Sequence, residues 1–151
     1  MSPHPLASSL QRNAAFANLS AGDLDALATA LEVRRYDRGH VFITEGERSH
    51  DVFYVVSGEV EVLTRGAVWP VRRLWPGSLF GLVALVDDEP RSATCRAAEP
   101  SEVATLSARA VPLLFNNSAP VACAFQKAAA LQLAEDFRNL STLLHHLDAG
   151  G

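Results

Sequence analysis

From Val33 to Leu106 the chain divides into short runs rich in Val, Phe, Tyr and Ile, each closed by glycine: RRYDRG, HVFITEG, DVFYVVSG and EVEVLTRG. Strands this short, with a turn signal at near-regular intervals, point to an all-β roll or barrel. In Glu59–Leu63, Glu59 and Glu61 alternate with Val60 and Val62, so one face is wetted and the other packs inward. Asp51 to Val56 is more uniformly apolar, which predicts a central strand, and Ser57-Gly58 supplies the turn between the two. Arg65-Gly66 marks a second hairpin and leads to a strand from Ala67 to Trp75, whose Pro70 predicts an edge or a bulge. Pro76-Gly77 then turns the chain towards Ser78, Leu79 and Phe80, and strands at Arg91–Ala97 and Glu102–Leu106 follow.

Helical patterns flank these runs. Ser20 with Asp23 three residues on makes a start resembling a capping box, Leu24, Leu27 and Leu31 recur at helical spacing, and the helix is expected to end before Val33. After Ser107 a short helical segment is expected, interrupted or kinked near Pro112. Ser118 and Pro120 then open a long helix reaching Leu147. At 151 residues the chain has the size of one domain. The expected fold is α+β, mainly β: an antiparallel β-roll of the double-stranded β-helix or jelly-roll kind between an N-terminal helix and a long C-terminal helix. It divides into a helical segment over 1–32, the roll over 33–106 and C-terminal helices over 107–151.

The second half of the long helix carries Leu133, Phe137, Leu140, Leu144 and Leu147, alternately four and three residues apart. A seam of this kind pairs with another helix, which makes a homodimer through the C-terminal helix one reading. Packing of the same stripe on the chain's own roll is the other, because the seam covers only about two heptads.

Several function classes lose support from the composition. A net charge of -4 and a pI near 5.7 give no electrostatic footprint for nucleic acid, so no DNA binding by this chain alone is expected. The N-terminus lacks the charged and apolar regions of a secretory signal, and no apolar run is long enough to span a bilayer. A cytoplasmic location without a membrane role follows as the expectation. Cys95 and Cys123 have neither redox nor zinc spacing and are expected to be buried small hydrophobes. The five histidines fall in no metal frame, no serine-nucleophile elbow is present, and Asp87-Asp88-Glu89 beside Pro90 has the form of a solvated turn. An enzyme is not expected.

Gly39 to Gly58, GHVFITEGERSHDVFYVVSG, and then Phe80 to Thr94, FGLVALVDDEPRSAT, are the most specific stretches. The first resembles the repeated-glycine strand pattern of the cyclic-nucleotide-binding superfamily, which includes catabolite-activator-type regulators and the regulatory subunits of cyclic-nucleotide-dependent kinases. The second resembles that family's phosphate-binding cassette, in which a Phe-Gly-Glu start opens a one-turn helix and an arginine with a small residue follows nine positions after the glutamate. Here Phe80-Gly81-Leu82 is followed by Arg91 and Ser92 in that frame, and a short helix is implied near 81–86.

The chemistry of these residues agrees with a phosphodiester. Gly81 permits close backbone approach, and the amides of Leu82, Val83 and Ala84 at the start of a short helix suit an anion. Arg91 offers a permanent charge in a fork that matches two phosphate oxygens, and Ser92 a hydroxyl donor. A surface salt bridge from Arg91 to Asp87, Asp88 or Glu89 is the competing assignment.

One position departs from the resemblance. The family's glutamate, which accepts a hydrogen bond from the ribose 2′-hydroxyl, is Leu82 here, and loss of one such bond is worth about ten- to a hundredfold in affinity. The base contact that the family makes from its C-terminal helix would fall to Ser141 or Thr142. The resemblance thus implies a regulatory domain that senses a cyclic-nucleotide-like ligand, cAMP or cGMP among the possibilities, with no obligatory cofactor. Such a domain would signal through its C-terminal helix to an unknown downstream protein. A ligand-free dimerisation or protein-interaction module is the alternative, and Leu82 is the residue that favours it.

Overall fold

Val52 to Val55 are all buried because both faces of their strand are covered. A computed structural model describes residues 4–150, with side-chain placement described for all but residues 140, 143 and 146–150. In it, β3 (Val52–Ser57) lies between β8 (Ser101–Leu106) and β6 (Leu79–Phe80), and β1 (Glu32–Tyr36) pairs the other edge of β8. A second four-stranded sheet has the order β2 (Val41–Ile43), β7 (Thr94–Ala97), β4 (Val60–Leu63), β5 (Arg72–Leu74). All pairings among these strands are antiparallel, and the two sheets make the β-roll.

The alternation of side chains along β3 and β8 sorts the apolar residues into two cores. Phe53, Val55 and Val103 join Ile43, Val60, Leu74, Phe80 and Cys95 inside the roll. Val52, Tyr54, Ala104 and Leu106 face the other way, against the helices, where Leu10, Phe16, Leu27 and Phe125 meet them. That second core recruits α1 (Ala7–Leu10), a 3-10 turn at Ala14–Phe16, α2 (Ala21–Ala30), α3 (Ala110–Asn117) and the long α4 (Ala119–Gly150). Ser20 caps α2 as expected, its hydroxyl accepting from the Asp23 amide at 3.1 Å.

The structure corrects four details. The helix α1 precedes the first one expected. The expected strand over 67–75 shrinks to Arg72–Leu74 at the sheet edge, with Val68 and Trp69 exposed in the turn before it. Pro112 does not interrupt α3, because it sits in the first turn, where its missing N–H is no loss. Cys95 is buried but Cys123 is exposed.

Among the described side chains, the buried side of α4 runs through Val121, Ala124, Phe125, Ala128 and Ala129. Beyond it Leu133, Phe137 and Leu144 of the apolar seam are exposed, while the side chains of Leu140 and Leu147 lie outside the described residues. No helix among the described residues is long and apolar enough to cross a membrane.

Candidate functional site

The chain passes from β6 into the cassette through Gly81, at φ 81°, a conformation L side chains rarely adopt. A Cβ there would stand 2.9 Å from the Asp51 carbonyl oxygen, 3.2 Å from the Arg91 guanidinium and 3.3 Å from Ile43, so the glycine is required by space as well as by φ. The 3-10 turn Leu82–Leu85 follows, as the sequence implied for 81–86.

Arg91 is buried and faces Gly81. Its Nε donates to Ser49 Oγ at 2.9 Å, and its two terminal nitrogens donate to the carbonyls of Gly81 at 3.0 Å and Asp51 at 2.7 Å. Its backbone is also fixed: its amide donates to the Glu47 carbonyl, and its own carbonyl accepts from the Gly46 amide, both at 2.8 Å. These bonds tie the cassette to the β2–β3 connection. None of the hydrogen-bond partners of Arg91 is Asp87, Asp88 or Glu89; Asp88 instead meets His50 and Arg48. Burial pulls the guanidinium below its usual pKa, but that range is so high that the group stays charged. Three of its five N–H groups are committed to neutral oxygens, so the positive charge has no carboxylate in direct contact.

Beside this arginine lies a cavity of about 260 Å³. Ile43, Val62, Leu74, Phe80 and Cys95 form an apolar wall, Gly81 to Ala84 and Arg91 to Ala93 line the cassette side, and Asp87, Glu89 and Pro90 contribute to its lining. Burial pushes the Cys95 thiol up to about 11, so it enters the wall as a neutral group. The volume falls just short of the roughly 300–1,000 Å³ usual for ligand clefts, which limits the site to one small molecule.

The expected phosphate residues Gly81, Leu82, Val83, Ala84, Arg91 and Ser92 are therefore brought together on one cavity. Leu82 is only 4% exposed and packs with the helical core as well as lining the cavity, so its position offers no acceptor. Ser141 and Thr142 are exposed and absent from the cavity wall. The α4 residues that do line it are Gln132 and Asp136, and Ser141 lies about 7.5 Å further along the axis. Sequence reasoning also missed Arg72, on β5, and Ser49 and Asp51, which hold Arg91. A conspicuous charge in the RRL run and the four-residue spacing of Gln132 and Asp136 could have pointed to the first group. Asp51 acts on Arg91 through its carbonyl and so leaves no mark in the sequence.

Comparison with known proteins fixes the class. The profile of the cyclic nucleotide-binding domain family matches residues 33–118, more than half of the chain. The protein belongs to that family. Among relatives, a cAMP-dependent protein kinase regulatory subunit of Mycosarcoma maydis is 37% identical over 102 residues, covering 63% of this chain and 19% of that protein. A cyclic nucleotide-gated potassium channel of Mesorhizobium japonicum is 35% identical over 114 residues, covering 76% of this chain and 31% of the channel. The chain thus spans less than a third of the length of either. Among solved structures, the Thermus thermophilus catabolite activator protein superposes with a TM-score of 0.73 at 25% identity, over 89% of this chain and 62% of that one. A cyclic nucleotide-binding domain from Methylobacillus flagellatus gives a TM-score of 0.73 at 24% identity, over 89% and 77% of the two chains, and shows the shared fold.

Proposed function

We propose that this chain is a regulatory, non-enzymatic sensing domain whose cavity takes a cyclic nucleotide, cAMP or cGMP, with the phosphate on Arg91, Ser92 and the Gly81–Ala84 segment. The observation that carries this reading is the buried Arg91 charge, matched only by neutral oxygens and set on the cavity wall beside a glycine that nothing larger can replace. Such a charge is poised for an anion, because the carboxylates of Glu47 and Asp51 attract it without bonding it, whereas a phosphate can meet it directly. Occupancy is passed to α4, which lines the same cavity, and from there to a partner or across a homodimer through the exposed seam. Ser141 and Thr142 meet a base only if α4 comes inward on binding.

A second reading is favoured by two features. Leu82 belongs to the core, and Arg91 already holds three acceptors, as in a scaffold that binds nothing. Thermal unfolding against cAMP, cGMP and cyclic dinucleotides separates the two. The sensing reading expects a saturable rise in melting temperature, equivalent to about 2.7 kcal/mol at a hundred times the Kd. No rise with any of them leaves the interaction module.

A further inference from the structure

We propose that the loop between β4 and β5 docks the domain on the surface of an anionic lipid bilayer, with its tip of Val68, Trp69 and Pro70 entering the head-group region. The inference does not depend on what the cavity binds.

The chain has two tryptophans, and both fall in or beside this one hairpin. Trp69 is 79% exposed and Trp75 56%, with Val68 at 84% and Val71 at 58% next to them in sequence. The antiparallel pairs of Val60 with Leu74 and Val62 with Arg72 fix the two stems. Between them the chain turns at Gly66, at φ 82°, and the Ala67 amide closes the turn on the Thr64 carbonyl at 3.1 Å. The stems are therefore held while the tip has no cover. Folding gains nothing from two indoles left in water, and a cluster of apolar side chains of this size on a surface marks a contact.

Shape and charge favour a bilayer over a protein. A strand from another chain is disfavoured, because β5 is an edge of only three residues, flanked by Pro70 and Pro76 and carrying Arg72 and Arg73, as edges guarded against pairing are. Nor is the patch a groove for a partner's anchor: none of Val68, Trp69, Val71 and Trp75 lines the cavity beside Arg91 or either of two further cavities, beside Arg12 and beside Glu32. A projecting apolar tip suits a soft surface that closes around it, and tryptophan is the side chain that settles at head-group depth. Residues 62–86 hold three of the chain's 13 basic residues and none of its 17 acidic ones, so the remainder is acidic by ten against seventeen. Arg72 and Arg73 are paired with carboxylates behind the loop, those of Glu135 and Asp136 for the first and of Glu59 for the second. The side chain of Arg65 is 93% exposed and meets Glu45 only at 3.8 Å, which leaves a cation beside the indoles. An anionic surface draws this corner in and repels the rest of the chain, so one orientation is selected. The expectation of no membrane role rested on the lack of a spanning segment, and a contact of this kind needs none.

The test is tryptophan emission and cosedimentation of the parent chain with vesicles of phosphatidylcholine containing about 30% phosphatidylserine, and with vesicles of phosphatidylcholine alone. Both tryptophans belong to the patch, so the parent's emission should move to the blue with the anionic vesicles and be quenched by lipids brominated along the acyl chain. Val68→Ala with Trp69→Ala should weaken partitioning about tenfold or more and leave the Trp75 emission nearer its position in water, while Trp69→Phe should keep part of the binding. Arg65→Glu should weaken binding to the anionic vesicles about fivefold or more and leave binding to phosphatidylcholine alone unchanged. These positions are exposed, so each variant should melt within about a degree or two of the parent. A parent that neither cosediments nor shifts with the anionic vesicles overturns the proposal, as does a Val68→Ala, Trp69→Ala variant that binds them like the parent. A blue shift that grows with protein concentration in the absence of lipid, and is lost in that variant, also overturns it and assigns the loop to a second copy of the chain.

Discussion

The guanidinium of Arg91 fastens the cassette whether or not a ligand is present, since its bonds to the Gly81 and Asp51 carbonyls join β6 to the β2–β3 connection. Arg91→Ala should therefore lower stability as well as binding, by about 1–3 kcal/mol for each carbonyl left buried without a donor. Arg91→Lys keeps a charge and part of this bonding but loses the fork. Urea unfolding should rank Lys above Ala in stability, while calorimetry finds cAMP affinity reduced about ten- to a hundredfold in both; parental affinity in Arg91→Lys would remove the fork from the phosphate. Leu82 makes the complementary prediction. With no acceptor on the residue where the family's glutamate stands, the parent should bind cAMP and 2′-deoxy-cAMP within about threefold of each other. Leu82→Glu should prefer the ribose form by about tenfold or more, at a cost in melting temperature from placing a carboxylate at a 4%-exposed position. Equal affinities in the variant would place the ribose elsewhere. The cassette wall of this cavity was legible in the sequence because it depends on residue types, a glycine and an arginine at a fixed interval. Two of the three side-chain bonds of Arg91 were not, because they end on carbonyl oxygens, which are common to every residue.

At the scale of elements, β4 was legible because Glu59 and Glu61 alternate with Val60 and Val62, and the helix starts because capping uses specific hydroxyls. The overlong strand at 67–75 has the opposite lesson: Val68, Trp69, Val71 and Trp75 are strand-forming types that the fold leaves exposed in and around a turn. Helix α1 spans four residues, too few for any periodicity to register. The distal reach of the cavity along α4 depended on where the helix crosses the roll, which local sequence does not encode; hence Gln132 and Asp136 line it and Ser141 and Thr142 do not. One hydroxyl now links three helices. Ser118 follows α3, accepts from the Val121 amide at 3.3 Å to cap α4, and donates to Asp23 of α2 at 2.8 Å. Ser118→Ala should cost about 1–2 kcal/mol by urea unfolding, more than Ser20→Ala, whose cap is exposed. Equal losses would mean that the bond between the helices contributes nothing.

For the whole molecule, the two cores share β3 and β8, so the roll and the helices are parts of one folding unit. Among the described side chains, those of α4 beyond Ala129 belong to neither core. Its exposed Leu133, Phe137 and Leu144 form an apolar stripe that water covers in a single copy, at a free-energy cost that a second helix removes. We expect a homodimer through this stripe. Sedimentation of the parent at rising concentration should show a monomer–dimer equilibrium, and Phe137→Asp should weaken it about a hundredfold or more, since a carboxylate would be desolvated at the seam. Phe137 is 69% exposed within one copy, so the substitution should leave the melting temperature of the dilute monomer within about a degree or two of the parent's. That pairing of outcomes separates an interface residue from a core residue. A parent that remains monomeric at several hundred micromolar would return the stripe to solvent and confine any signal to the movement of α4 on its own roll.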